Sequence, residues 1–311
     1  VGINRLFYQF PIGSDFVATL GARVRQDDML AVWPTVYSSD PILAFFVHNG
    51  TNGTYSVNLG PGVGLWWKKN GFSISGQYIS ANGANGNPIQ DTPGCGGIGN
   101  ACSLSTGTVQ LAYTGPRWAI SGAYTYSQNQ GPNMGTFFAI NPYSFIGGSG
   151  TSLKTNAFSI NGYWQPYKTG WIPSISAGWG INSYSSNSFD GGAGVGLLSA
   201  NGLRSQSWFT GLNWKDAFIK GNELGAAVGQ APFITSFGGN NGIKAQLGNT
   251  PNDQNFISEL WYKFQVTDNI SVTPAVFYIT NPLGQQQRIG ANGASTGLNN
   301  FGALVKTTFK F

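Results

Sequence analysis

Apolar and polar residues alternate along this chain with a period of two, in one block after another. Between Phe16 and Arg25, the side chains of Phe16, Ala18, Leu20, Ala22 and Val24 interleave with Thr19, Gly21, Arg23 and Arg25. Such a repeat puts the two sets on opposite faces of a β-strand. In Ile3 to Phe10, Leu6, Tyr8 and Phe10 oppose Arg5 and Gln9, and further on Val109, Leu111 and Tyr113 oppose Thr108 and Gln110. Phe158, Ile160 and Trp164 oppose Ser159, Asn161 and Gln165, and the chain ends with Phe301, Ala303, Val305, Phe309 and Phe311 against Lys306, Thr308 and Lys310. Counted this way, the sequence predicts thirteen strands.

The connections alternate as regularly. Short turns fall near 11–15, 69–71, 114–117, 166–170, 216–221 and 267–269, and long segments near 26–61, 83–105, 129–154, 185–204, 233–254 and 283–299. Short turns at one end and long loops at the other are the layout of a transmembrane antiparallel β-barrel. The register predicts Trp67, Trp118, Trp164, Trp179 and Phe309 on the lipid or subunit side. Gln77, Gln110, Asn161, Lys263 and Lys306 fall on the lumen side. Trp67, Trp118, Trp164, Trp171 and Trp214 cluster near strand ends, where an aromatic girdle sits.

Composition supports the same class. Only 9% of residues are charged, against about 25% in an average soluble domain, yet mean hydropathy is just −0.10. Uncharged polar faces alternating with apolar ones account for both values. No run approaches the length of a membrane-spanning helix, and no signal peptide is visible; Val1 begins inside a strand pattern, as in a mature or trimmed chain. The net charge of +5 is scattered, with no basic stripe for nucleic acid.

An odd strand count implies further strands before Val1, since single-chain bacterial barrels are even-numbered. Three would make sixteen and would place Gln26 to Pro61 after the fifth strand, where sixteen-stranded porins fold a loop inward. That segment is too long and too apolar for a surface connection. Met29, Leu30, Trp33, Ile42, Leu43, Phe45 and Phe46 are expected to pack inside the barrel, and Asp40-Pro41 predicts a short helix from Pro41 to Phe46. Arg5, Arg23 and Arg25 on the inward faces, with Asp27, Asp28 and Asp40 on the loop, are the candidate constriction. Two roles are open to them: a charged eyelet that selects ions by sign, or ion pairs that anchor the loop to the wall.

Other chemistry is sparse. Cys95 and Cys102 bracket a glycine-rich loop and predict a disulfide rather than a zinc site, because the one histidine, His48, is remote. No metal, cofactor or catalytic site is indicated, since a Ser-His-Asp arrangement would rest on His48 with no nucleophile motif beside it. Asn49-Gly50-Thr51 and Asn52-Gly53-Thr54 are read as turns. Trp66, Phe209 and Trp261 are inward aromatics that could stack sugars, but packing beneath the long loop is the commoner use.

The segment RVRQDDMLAVWPTVYSSDPIL, from Arg23 to Leu43, resembles the cyanobacterial outer-membrane porins. Those are similar to the OprB-type carbohydrate-selective porin family and are often called iron uptake porins. The terminal Phe311 also resembles the ending of bacterial outer-membrane proteins. The resemblance implies an outer-membrane homotrimer in contact with lipid and lipopolysaccharide. It also implies a periplasmic surface-layer-homology domain, absent from this chain, that grips peptidoglycan-linked polymer. The expected function is passive diffusion of ions and small hydrophilic solutes. The alternatives are specific uptake of carbohydrate or iron species, and a structural anchor or phage receptor.

Overall fold

The computed structural model describes residues 2–37, 42–89, 94–140, 153–186, 202–239, 241–289 and 297–310. Asp40, Pro41 and Phe311 lie outside the described residues. The first strands are β1 Leu6–Ile12, β2 Phe16–Arg25, β3 Leu59–Lys69, β4 Phe72–Ser80 and β5 Ser105–Thr114. β6 Trp118–Gln128, β7 Leu153–Trp164, β8 Ser174–Ser186 and β9 Arg204–Lys215 follow. β10 Glu223–Ser236, β11 Phe256–Thr267, β12 Ile270–Thr280 and β13 Asn299–Phe309 complete the set. All thirteen belong to one antiparallel sheet in which each strand pairs with its neighbours in sequence. β1 and β13 are the two edges of that order, with no pairing between them among the described residues.

The sheet is apolar outside and polar inside. Leu111 is 57% exposed and Phe309 58%, whereas Gln110 and Asn161 are each 1% exposed. Lipid solvates the first pair; the second needs hydrogen-bonding partners in the interior. Trp118, Trp164 and Trp179 stand on the exposed face and Gln77 on the buried one, as the alternation predicts.

Two local departures matter. Ala22 has no partner on β1, where Leu6 pairs with Arg23 and Phe7 with Gly21, and on the other side Gly21 pairs with Gly62 and Val24 with Gly60. This is a β-bulge, and the extra residue reverses the facing of everything after it. The first turn also starts later than predicted, because Pro11 and Ile12 still pair with Val17 and Phe16. Pro11 stands one pair from the turn, at the end of the β1–β2 ladder, where the loss of a donor costs little.

The long connections carry short helices: α1 Ala44–Val47, α2 Phe137–Ile140, α3 Asn241–Leu247 and α4 Gln285–Ile289. Helix α1 begins after Leu43, not at the Asp-Pro pair. At the end of the sheet that carries the long connections, Phe138, Leu153, Tyr184, Leu203, Ile234, Phe237 and Ile243 belong to one apolar cluster. Buried Asp253 ties three connections together there, accepting from Ile234 N and Gln285 N at 2.7 Å each and from the Thr136 hydroxyl.

Candidate pore constriction

The segment between β2 and β3 does not leave the barrel. It starts as a single 3-10 turn, Gln26–Met29. The fully buried Gln26 side chain closes the neck of the loop: Nε2 donates to Thr54 O at 2.8 Å and to Thr108 Oγ1 at 2.9 Å, and Oε1 accepts from Val57 N at 2.9 Å. Beside it Arg5 Nε meets Asp28 Oδ2 at 2.6 Å, and the Arg25 guanidinium grips both oxygens of Asp27. Asp28 also accepts from Arg25 N at 2.9 Å, which fixes the first turn of the loop to the end of its strand.

From there the chain crosses the inner wall strand by strand. Met29 packs with Val24 and Ile79 against β2 and β4, and Val32 packs on Ala112, Ala119 and Tyr163 of β5 to β7. Ala31 N donates to Ser75 Oγ on β4, and Val36 N and Tyr37 N both donate to Ser176 Oγ on β8, each at 3.0 Å. The far end is held by Glu259 on β11. Its Oε1 accepts from the Tyr37 hydroxyl at 2.7 Å, and its Oε2 from Ile42 N at 3.1 Å and Leu43 N at 2.6 Å. Trp261 Nε1 completes the group by donating to the Tyr37 oxygen at 3.0 Å. A carboxylate that is 3% exposed is costly to bury; three directed donors offset that cost.

The return arm runs back over β11 to β5, sharing β5 to β7 with the outbound arm. Phe45 and Phe46 pack with Tyr37, Phe209, Trp261 and Ala227, with Ile42 and Leu43 at the margin. Asn161 Nδ2 on β7 donates to Asn49 O at 2.9 Å, and Thr125 Oγ1 on β6 donates to Thr54 O at 2.8 Å. Tyr55 ends the arm, its hydroxyl accepting from Gln110 Nε2 at 2.8 Å, with the Trp33 ring against it at 5.2 Å. Glycines on the wall mark where the loop lies closest. A Cβ on Gly64 would sit 2.8 Å from Met29 Cβ, and one on Gly211 would sit 2.5 Å from the Tyr37 ring. Neither site has room for a larger residue.

Burial sets the protonation of the loop. It holds His48 below its usual pKa, and the Tyr55 carbonyl, 2.9 Å from Nδ1, only partly opposes this. Tyr55 is pushed up to about 12 by burial, and Tyr37 goes higher still by burial and the nearby Glu259 charge. The three tyrosine and histidine side chains are therefore neutral packing and hydrogen-bonding groups near pH 7.

The structure brings together Arg5, Arg25, Asp27 and Asp28, and does so as two ion pairs. Arg23 is not among them. The bulge at Ala22 sets it opposite Leu6, exposed, while Val24 takes the inward position and is fully buried. The expected inward facing of Arg23, and by the same reversal of Arg25, is thus corrected by one extra residue in the strand; Arg25 reaches Asp27 from the strand end. Of the predicted loop-packing residues, Met29, Phe45 and Phe46 are buried, and Leu30, Trp33, Ile42 and Leu43 are half-buried. Phe209 and Trp261 lie under the loop, whereas Trp66 is half-buried outside that cluster. Cys95 and Cys102 are joined, with Cα atoms 5.6 Å apart. Among the described residues no group of three or more His, Cys, Asp or Glu side chains is arranged to hold a metal. The sequence reading missed Glu259 as a latch; an acid at an inward strand position, facing an apolar loop, was the available signal.

The arrangement is an inward loop strapped across the inner wall of an antiparallel sheet whose outer face is apolar. Residues 203–311 match the OprB family of carbohydrate-selective porins. Among solved structures, an anion-selective porin from Comamonas acidovorans superposes with a TM-score of 0.54 at 12% identity, covering 95% of this chain and 74% of that one. Pseudomonas putida OprB superposes at 0.52 with 15% identity, covering 94% and 68%. OmpT, an outer membrane protein of Vibrio cholerae, does so at 0.52 with 12% identity, covering 95% and 76%. The chain has the fold of the outer-membrane porin barrels. At such identities the likeness to solved porins is one of fold. An uncharacterized protein of Nostoc sp. strain PCC 7120 is 24% identical over 344 residues, and one of Synechocystis sp. strain PCC 6803 is 24% identical over 301. The chain covers 50% of each of these relatives, so it spans about half the length of the curated proteins it matches.

Proposed function

We propose that this barrel is a passive diffusion pore for inorganic ions and small hydrophilic solutes, narrowed by the loop from Gln26 to Asn58. One observation carries the reading: the loop is fastened at both ends of its span, by Gln26 at the neck and Glu259 across the lumen. A loop built only to cover a surface would not need a buried carboxylate on the far wall. Inward positions are buried from β4 through Ser271, Thr273 and Ala275 on β12, whereas Leu304, Lys306 and Thr308 on β13 keep exposure, which supports an open path beside β13 and β1. The family name supports carbohydrate as an alternative cargo, but Phe209 and Trp261, the inward aromatics best able to stack a sugar, are covered by Phe46 and Tyr37.

The constriction charges are mutually paired, two arginines with two aspartates. Arg5, Arg25, Asp27 and Asp28 therefore serve first as the anchor of the loop, and the sign selectivity they impose is weak. Unpaired edges at β1 and β13 are not sustainable in lipid. Together with the greater length of the relatives, this supports a closed barrel of sixteen strands. We further propose a homotrimer, with lipopolysaccharide around it and a cell-wall-binding domain elsewhere in the full protein. Planar-bilayer conductance combined with liposome swelling by graded sugars tests the function. Ohmic currents and a sharp size cut-off are expected; saturable block by a sugar or iron chelate would replace this reading with specific uptake.

A further inference from the structure

The end of the barrel opposite the long loops holds a cavity that the constriction does not use. It has a volume of about 190 Å³ and lies between the β5–β6 turn, the β7–β8 turn and the start of the β9–β10 turn. Arg117, Lys215, Asn213, Ser174, Thr169 and Tyr167 line it, with no carboxylate in the lining. Asn213 and Ser174 are directly paired on β9 and β8, both on the inward face and both buried. Asn213 is 2% exposed, and its Nδ2 has no hydrogen-bond partner in the protein. A buried amide N–H₂ left unmatched by protein calls for an acceptor from outside.

The cations are arranged for the same purpose. The Arg117 guanidinium stacks on the Tyr167 ring at 3.1 Å from its centroid and donates Nη1 to Gln165 O at 3.0 Å. No ion pair joins it to an acid among the described residues. The nearest acids flank Lys215 instead. Asp216 follows it in sequence and accepts from Gly221 N at 2.8 Å, and Glu223 is its cross-strand neighbour. Along the inner wall the basic character continues, with Lys263 opposite Glu223 on β11 and Lys306 opposite Thr273 on β13 and β12.

We propose that this cavity is a binding site for a small oxyanion, of the phosphate or sulfate type, at the periplasmic mouth of the pore. The remaining Arg117 guanidinium donors, the Lys215 ammonium, the Asn213 amide and the Ser174 hydroxyl are directed donors suited to several oxygen acceptors on one ligand, while the Thr169 hydroxyl is engaged by Asp216. Chloride would use few of them, and a neutral sugar would leave Arg117 without an anionic partner. The site requires the folded barrel but not conduction, so it is read separately from the pore function proposed above.

Isothermal titration of the full-length protein in detergent, with inorganic phosphate, sulfate and chloride in parallel, tests it. Saturable binding of phosphate or sulfate, with chloride much weaker, is expected. Asn213→Asp keeps the side-chain shape and puts a carboxylate in the cavity; it should weaken oxyanion binding by about ten-fold or more, as should Arg117→Gln. Lys220→Gln removes a charge from the same end without touching the cavity and should leave binding unchanged. Heat-modifiable gel mobility checks that each variant is folded. Phosphate and sulfate binding no tighter than chloride, or equal affinity in folded Asn213→Asp and the parent protein, overturns the proposal.

Discussion

The Tyr37 hydroxyl lies 2.7 Å from Glu259 Oε1, joining a loop that begins on β2 to the opposite side of the wall on β11. The same carboxylate holds Ile42 N and Leu43 N through its other oxygen, so one side chain organises the tip of the whole loop. Glu259→Ala should therefore free the tip rather than unfold the barrel. Hydrogen bonds to a charged group contribute about 1.5–3 kcal/mol each, enough to turn a fixed tip into a fluctuating one. Faster amide exchange at Ile42 and Leu43 is expected, with noisier and larger single-channel currents. Unchanged exchange at both amides would mean that packing of Phe45 and Phe46 alone holds the loop.

Arg5 and Arg25 separate from Arg23 in function. Arg25→Ala breaks the pair with Asp27 and leaves an uncompensated acid at the neck, so reversal potentials in a salt gradient should move toward cations. Arg23, exposed opposite Leu6, should be silent in the same measurement. A shift from Arg23→Ala as large as that from Arg25→Ala would mean that the bulge at Ala22 does not set the facing.

Acid should loosen the return arm. The folded pKa of His48 lies below its ordinary value, so the unfolded loop binds a proton first and the folded form binds it later. Stability from this residue is then fully present above about pH 6.5 and is lost as pH falls toward the lowered folded pKa. Protease accessibility of the loop should rise on acidification below that value, and His48→Gln should flatten the response in the same window. An identical acid response in the variant would assign it to the carboxylates.

Reducing the Cys95–Cys102 bridge should leave the barrel folded and conducting. A loop this short contributes roughly 2–3 kcal/mol at most and chiefly orders its own connection. Loss of heat-modifiable mobility on reduction would show that the β4–β5 connection supports more of the molecule.

Much of this architecture was legible in the sequence, because lipid on one side and water or a polar loop on the other impose a strict period of two. Thirteen strands and the alternation of short and long connections follow from that contrast alone. The bulge at Ala22 was not legible, since alanine and arginine fit either face and only pairing with β1 and β3 fixes the slip. The start of α1 was missed because Asp40-Pro41 carries a local capping signal, whereas Glu259 holds the Ile42 and Leu43 amides from another strand. That contact spans more than two hundred residues of sequence, beyond the reach of any local pattern.

The central claim is that the segment from Trp33 to Phe46 narrows the pore. Single-channel conductance of the full-length protein with that segment deleted, compared with the parent in the same salt, tests it most directly. A several-fold rise with unchanged assembly is the predicted result. Unchanged conductance together with a loosened oligomer would place the segment at a subunit contact and contradict the account.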